Sequence, residues 1–416
     1  MYSQKKIQAV LEAFAASEGW MPQYHTLEET NEFKAYLDSI VKLESNSKCT
    51  WIESVKPLSD KRQAEVRRWI ENEQALCSID SGYFESRYAY LVNECGVITK
   101  FQNRKSQEVL DLIIAELEDR DLPIELIIRG SRQTGIGTKI VMKFMHRALF
   151  TMNANVAFAS VMHEKSEYIR QITDTAYEKL PWWLVPIRMR KGAFNNQSRI
   201  SFLSGMSASG IAQGFTPQCI YLSNVEDYPT PHRTIEDGLL RAVHSSRNTF
   251  LVLHGSKVQK CGWFDSIWRS AKEYYPKGMY RLCPVFIPWF LCSDLYPVAD
   301  WLRVHPVPSE WKQLEETLQY VKRCESCVHR NPSLSKILGV GWKMPVEQAW
   351  YWEMQYQEAK IRQNLEGFMK HFALDDDGDE KESTEEHVEI DMDTLFPQPV
   401  AIQEKVGAIR QRLLEG

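Results

Sequence analysis

The chain has 416 residues, of which 44% are apolar and 25% charged, an ordinary globular composition for a protein larger than one average domain. It contains no positively charged, apolar leader and no apolar run of about 18 residues, so we expect neither secretion nor membrane insertion. Its nine cysteines form no regular framework, which indicates a reduced, cytoplasmic protein.

Charge is distributed unevenly along the chain. The formal net charge is −5, although the segment from Asp375 to Asp393 alone contains eleven carboxylates and one Lys. The rest of the chain is therefore mildly basic. That balance fits contact with phosphate backbones, and it equally fits a soluble protein with a solvated acidic loop.

Two patterns divide the first 295 residues. Residues 1–95 are predicted to be a helical region, because apolar residues recur at spacings of three and four, as at Ile7, Leu11 and Phe14. Residues 96–295 alternate short β-rich runs with amphipathic segments, which predicts a mostly parallel sheet flanked by helices. The predicted strands are 124–129, 155–160, 199–204, 218–223 and 248–256, and the predicted helices are 138–152, 163–178, 234–244 and 263–275.

The remaining chain is predicted to form three further regions. Residues 296–372 form a linker or lid region, which becomes helical around 346–365. Residues 373–394 are acidic and are expected to be disordered, and residues 395–416 form a C-terminal tail.

The first predicted strand leads directly into the sequence GSRQTGIGTK and then into a helix. A glycine-rich turn in this position presents backbone N–H groups to an anion at the helix N-terminus. Gly130 and Gly135 have the spacing of a phosphate-binding P-loop, and Thr138 stands where a hydroxyl would hold Mg²⁺. Ile136 occupies the usual Lys position and Lys139 follows the Thr, so a simple strand-to-helix turn is the other interpretation.

A polar segment follows the fourth predicted strand. Ser223 and Asn224 occupy the places where an ATPase carries an acidic Mg²⁺ ligand and a Glu that orients water. Asn can position a water but cannot accept its proton, so hydrolysis should be slow unless Glu226 or Asp227 supplies a carboxylate. The other interpretation is a polar exit from the strand.

In this order, the segments resemble the ATPase half of the large terminase subunits of tailed bacteriophages, from about Trp69 to Trp352. The resemblance begins with WIENEQALCSIDSGYFESRYAYLV, continues through KFQNRKSQ and GSRQTGIGT, and reaches GWFDSIW and FIPW. It implies an α/β P-loop NTPase fold of the ASCE or RecA-like class, with a helical N-terminal region and a short C-terminal linker region. ATP and Mg²⁺ are the implied cofactors.

The resemblance also implies roles for individual residues. Gln107 would bind the adenine, Ser256 would couple nucleotide state to motion, and Thr138 with Asp227 would bind the metal. The expected phosphate-binding residues are Arg129, Arg132, Gln133, Gly135, Gly137, Thr138 and Lys139. The expected catalytic residues are Asn224, Glu226, Asp227 and Ser256.

Three departures from the family pattern fall on residues that act on the γ-phosphate. Gly130 replaces the family's Lys, with Arg129 as the nearest substitute, while Gln213 replaces an Arg and Asn224 replaces the Walker B Glu. One such cation can be worth about 10³ to 10⁵ in rate. Two functions are therefore open: a motor ATPase that packages DNA, and a pseudo-ATPase scaffold that binds DNA or protein. A helicase would need a second motor domain, for which we find no room.

The resemblance implies several partners, beginning with double-stranded DNA. A homo-oligomeric ring, a portal or procapsid, a small terminase subunit and a separate nuclease chain are the others, with the host cytoplasm as the location. The family's nuclease domain is not expected here, because the carboxylates after Asp375 show no strand pattern. Cys324 and Cys327 have zinc-like spacing, but a structural zinc needs four ligands, so ordinary reduced cysteines are the simpler interpretation.

Overall fold

The computed structural model describes most of the chain before residue 310 and one later helical segment. The described residues are 4–46, 49–93, 95–131, 133–186, 188, 192–204, 217–241, 243–256, 262–287, 289–292, 297, 299–309 and 345–372. The predictions for Arg132, Gln213, Cys324, Cys327 and the two regions 373–394 and 395–416 lie outside these residues.

The described residues form a mixed α/β fold. The helices are α1 (Gln4–Glu18), α2 (Leu27–Ile40), α3 (Asp60–Ile79), α4 (Ser81–Tyr88), α5 (Lys105–Asp119), α6 (Ile136–Phe150), α7 (His163–Glu178), α8 (Trp263–Tyr274), α9 (Ala299–Val304), α10 (Val346–Ile361) and α11 (Leu365–Phe372). The strands are β1 (Val41–Asn46), β2 (Cys49–Val55), β3 (Tyr90–Val92), β4 (Ile98–Lys100), β5 (Ile124–Gly130), β6 (Asn155–Ser160), β7 (Arg199–Ser204), β8 (Cys219–Ser223), β9 (Phe250–Gly255) and β10 (Cys283–Ile287). Two 3₁₀ turns (Val225–Asp227 and Trp289–Leu291) and a π-helix (His232–Leu240) complete the set.

Six parallel strands form the largest sheet, in the order β10-β5-β9-β8-β6-β7. Every residue of β5 and β8 is buried, as expected for parallel strands whose two faces are both covered. The strand that leads into the glycine-rich loop, β5, lies between β10 and β9, and β9 separates it from β8. The predicted mostly parallel α/β fold is therefore confirmed, and the architecture is consistent with a P-loop NTPase.

Five of the sheet strands lie where the sequence places them, while other strands were not predicted. The sequence analysis did not predict β10 or the antiparallel pairs β1–β2 and β3–β4. The β1–β2 hairpin interrupts the N-terminal region that helical spacing predicts as helical throughout. Its second strand contains Thr50, Trp51 and Ile52, residue types that favour strands, but a run this short gives little periodicity.

By their contacts, the residues group into two compact units. One consists of Met1–Asn103, Gln107–Glu125 and Gly135–Leu253. The other consists of Arg104–Ser106, Leu126–Thr134 and His254–Gly416. The first unit contains α6 together with β6, β7 and β8, and the second contains β10 and most of β5.

A buried group of four charges joins α6 to α4 and α5. The Lys139 ammonium contacts a Glu85 carboxylate oxygen and lies 2.7 Å from Asp111 Oδ2. The Lys143 ammonium lies 2.9 Å from Asp111 Oδ1 and 3.3 Å from Glu85 Oε1. None of the four side chains is more than 5% exposed. Two cations and two anions are therefore removed from water together, and their charges balance.

Neighbouring charges keep Lys143 and Asp111 ionised. Burial by itself lowers the pKa of Lys143, but the Glu85 and Asp111 carboxylates outweigh it and raise the pKa above its ordinary value. Burial would raise the pKa of Asp111, yet Lys143 and Lys139 outweigh it and hold the pKa well below its usual range. The Asp111 contribution to stability is therefore present above the ordinary carboxyl pKa and is lost only as pH falls through the lower folded value.

Replacing Lys139 by Met should lower the free energy of unfolding by about 3–5 kcal/mol, because two buried carboxylates would share one ammonium. Urea denaturation at neutral pH measures the change. Arg62→Met is the matched control, since its ion pair with Glu65 is exposed and should contribute little. A loss for Lys139→Met no larger than that of the control would contradict the assignment.

Candidate nucleotide-binding site

The loop after β5 turns directly into α6. Gln133 has φ 62° and Gly135 has φ 76°, so both residues adopt left-handed conformations. Gly135 is the N-cap of α6 and makes no side-chain cap hydrogen bond. Because the first N–H groups of a helix lack partners within it, the start of α6 offers backbone donors to an anion, which the helix dipole also favours.

The first turn of α5 holds the carbonyl groups of this loop. Ser106 donates a hydrogen bond from Oγ to the Thr134 carbonyl at 2.7 Å, and Gln107 donates from Nε2 to the Gly135 carbonyl at 2.8 Å. Both side chains are buried. Gln107 is thus adjacent to the loop, and its predicted contact with adenine stays a prediction.

Gly137 allows the first turn of α6 to approach β8 closely. A Cβ atom at this position would lie 3.1 Å from the Tyr221 hydroxyl. Burial, reinforced by the Glu226 carboxylate, raises the pKa of Tyr221 above its ordinary value, so the phenol is neutral. The next residue, Thr138, is partly exposed.

Gly130 stands where the resembling family carries a Lys, and its surroundings disfavour a side chain. A Cβ atom there would lie 3.3 Å from the Ile287 backbone oxygen in β10 and 3.9 Å from His254 Nε2. Burial lowers the pKa of His254 to about 4, so this imidazole carries no charge at neutral pH. Neither position supplies a cation to the loop.

Two other predicted phosphate-binding cations have structural partners. Arg129 Nη2 lies 2.7 Å from Asp265 Oδ1, and its guanidinium lies 5.6 Å from the Phe264 ring centroid and 5.2 Å from that of Trp268. Lys139 belongs to the buried group of four charges. Removing either cation would leave its carboxylates only partly compensated, by Arg269 for Asp265 and by Lys143 for Glu85 and Asp111. Both cations thus have partners within the fold, and their predicted phosphate contacts stay predictions.

The exit from β8 places its polar residues in different surroundings. Asn224 adopts a left-handed conformation, with φ 52° and ψ 51°, and starts the 3₁₀ turn that contains Glu226 and Asp227. Glu226 is half-buried near Tyr221. Asp227 is 36% exposed and lies 3.9 Å from the Lys165 ammonium of α7. Glu226 is therefore the better placed carboxylate, and the metal role of Asp227 stays a prediction.

Serine recurs at the carboxyl ends of the sheet strands. The pattern is visible in the sequence, but the sequence analysis discusses only Ser223, at the end of its strand, and Ser256, as the coupling residue. Ser256 is buried, and its predicted coupling role stays a prediction. The serines that end a strand or directly follow one are Ser131, Ser160, Ser204, Ser223 and Ser256.

The sequence analysis did not identify the carboxylates that bind α6, the helix that follows the glycine-rich loop. Glu85 and Asp111 lie far from α6 along the chain, and no local pattern pairs them with Lys139. A weaker signal was present in Lys139 and Lys143, which are spaced four apart on a largely apolar helix and so require buried partners.

No protein-family model and no curated protein matches this chain. Among solved structures, a mutant ATPase domain of the large terminase of Thermus phage P74-26 shares 11% sequence identity and has a TM-score of 0.29. The match covers 42% of this chain and 84% of that chain. Values this low show neither a family nor a function. Within the described residues, no helix has the length and apolar character needed to cross a membrane.

Two histidines, the buried His146 and the half-buried His254, should make the protein less stable in mild acid. Burial lowers the pKa of His146 to about 3 and that of His254 to about 4, against about 6.5 for an unfolded chain. Protonation therefore favours the unfolded state. Stability should be full above about pH 6.5 and fall as pH drops, by up to about 1.4 kcal/mol per pH unit for each histidine.

The His146→Gln variant should show a shallower loss of stability between about pH 6.5 and 4. Gln keeps a donor for the Cys77 carbonyl, which lies 2.7 Å from the imidazole Nε2. Urea denaturation at several pH values measures the slope, with replacement of the exposed His163 by Gln as the control. Equal slopes for wild type and His146→Gln would contradict the prediction.

Proposed function

We propose that this chain is a subunit of a terminase-like DNA-packaging motor, which binds ATP at the start of α6 and moves double-stranded DNA into a procapsid. The strand order carries the proposal. The loop-bearing strand β5 is separated from β8 by one strand, β9, which is the order of the ASCE class of P-loop ATPases. Ligands of parallel sheets bind beyond the carboxyl ends of the strands, where the glycine-rich loop lies.

Nucleotide binding would use the loop and the first turn of α6. The backbone N–H groups from Ile136 to Thr138 would donate to phosphate oxygens, and the Thr138 hydroxyl would add a side-chain contact. Gln107, already bonded to the Gly135 carbonyl, would link adenine recognition to the loop. Glu226 would orient a water, because Asn224 cannot accept a proton.

A second function is a scaffold that binds nucleotide but does not hydrolyse it. The surroundings of Arg129 and Lys139 favour this function. Gly130 replaces the expected Lys, while Arg129 and Lys139 are both paired with buried carboxylates. With Arg129 and Lys139 paired in this way, the described residues of the loop supply no other Lys or Arg to neutralise developing charge on the γ-phosphate. For both functions, the proposed partners and the ring assembly rest on the sequence resemblance. The proposed partners are DNA, a portal, a small terminase subunit and a nuclease.

The test is ATP binding and turnover by the purified protein, with and without double-stranded DNA. Thr138→Ala should weaken ATP binding by about ten-fold, because one direct phosphate contact is removed. Thr175→Ala in α7 is the matched control and should leave binding unchanged. The double variant Glu226→Ala and Asp227→Ala should abolish turnover while retaining binding.

The outcomes separate the two functions. DNA-stimulated turnover that the double variant lacks would support the motor. ATP binding without turnover in the wild type would support the scaffold. A folded protein that binds no ATP would reject both.

A further inference from the structure

The adjacent ends of β6 and β8 carry buried hydroxyl groups, and the end of β8 is where a P-loop ATPase carries a carboxylate. Ser160 and Ser223 are paired in register, so their Cα atoms lie about 4.8 Å apart. Ser160 is 2% exposed and Ser223 is 8% exposed. Neither Oγ atom has a hydrogen-bond partner among the described residues. Buried hydroxyls are normally hydrogen-bonded, so this pair points to a ligand.

Both hydroxyls face the side of the sheet that α6 covers. Side chains two residues apart in a strand share a face, so Ser160 lies on the face of Phe158, and Ser223 on that of Tyr221. The Phe158 ring centroid lies 5.5 Å from that of Phe144 in α6. Ser160 and Ser223 are the second register pair beyond Phe158 and Tyr221. Since the Tyr221 hydroxyl meets Gly137 at the start of α6, the two serine hydroxyls lie where α6 begins.

Together, these groups form a set of donors that suits an anion. The start of α6 supplies backbone N–H groups and the positive end of a 15-residue helix dipole. Ser160 and Ser223 add hydroxyl donors from the ends of β6 and β8. Phosphate oxygens accept hydrogen bonds from both kinds of donor.

The same residues do not fit a divalent cation. Mg²⁺ is held in proteins by one or two carboxylates together with substrate phosphates. Within the described strand exit, Asn224 follows Ser223 and offers no carboxylate, Asp227 lies 3.9 Å from the Lys165 ammonium, and Glu226 is half-buried. Across the part of the chain that the structure describes, no group of three or more His, Cys, Asp or Glu side chains could hold a metal.

We infer that this site binds nucleotide phosphates through the α6 amides and the Ser160 and Ser223 hydroxyls, and that binding does not require a divalent cation. The inference rests on the proposed nucleotide-binding function. It adds that nucleotide without Mg²⁺ is sufficient for binding, so that the Mg²⁺ complex is not required.

Calorimetric titration with ATP, in excess Mg²⁺ and separately in EDTA, tests the inference. The two Kd values for the wild type should agree within about three-fold. Ser223→Ala and Ser160→Ala should each weaken binding in EDTA by about five- to ten-fold. Ser201→Ala, in the neighbouring strand β7, is the control and should bind as the wild type does.

Ser223→Asp provides the sharpest comparison, because it restores the carboxylate of an ordinary ATPase. Binding in EDTA should weaken by at least about ten-fold through charge repulsion, and Mg²⁺ should recover it. Circular dichroism checks that each variant is folded, and the two Ala variants decide the question if the Asp variant does not fold.

Each result has a distinct meaning. Wild-type binding that is at least about ten-fold tighter with Mg²⁺ than in EDTA would overturn the inference while leaving nucleotide binding intact. Folded Ala variants with unchanged affinity would show that the hydroxyls are not ligands. Absence of ATP binding in both solutions would reject the proposed function itself.

Discussion

The buried ion group of Lys139, Lys143, Glu85 and Asp111 is the constraint on which the candidate site depends. It fixes α6 against α4 and α5 at the helix end where the glycine-rich loop enters. Four charges without access to water are tolerated only when they balance and keep their geometry. The first turn of α6 therefore has little freedom to move, and its backbone donors are held in a defined direction.

The loop itself is held on two further sides by contacts that do not involve a ligand. Ser106 and Gln107 donate hydrogen bonds to its Thr134 and Gly135 carbonyl groups. The first N–H groups of a helix have no partners within it, so the start of α6 offers backbone donors. Gly137 gives the Tyr221 hydroxyl the space it needs, and Gly130 allows β10 to pass close by. Both glycines allow close packing around the loop.

The chemistry of the site differs from that of an ordinary P-loop ATPase in a consistent direction. Among the described cations near the loop, Arg129 and Lys139 are paired with carboxylates. Hydroxyl and amide groups, those of Ser223 and Asn224, occupy the strand end where carboxylates are expected. Fewer fixed charges of either sign remain to act on a γ-phosphate or on a metal. Such a site retains donors for an anion, while the groups that stabilise the transition state of phosphoryl transfer are reduced. Binding and turnover are thus separate questions for this protein.

The sequence by itself determined the elements with strong periodicity. The strands 155–160 and 199–204 and the helix 163–178 have the observed bounds, and the strand-to-helix context of the glycine-rich loop was correct. Short elements such as β3 and β10 were missed, because a few residues carry too little periodicity to identify a strand. Local pattern thus predicted the main framework and the position of the loop.

Only the tertiary structure showed which partners the charged residues near the loop have. The sequence predicts Lys139 and Arg129 as phosphate ligands from their position along the chain, but it does not show their distant partners Glu85, Asp111 and Asp265. The pairing of Ser160 with Ser223 likewise required the strand order, since 62 residues separate them in the sequence. Periodicity is a local property, whereas the pairing of buried charges and hydroxyls depends on which distant segments the fold brings into contact.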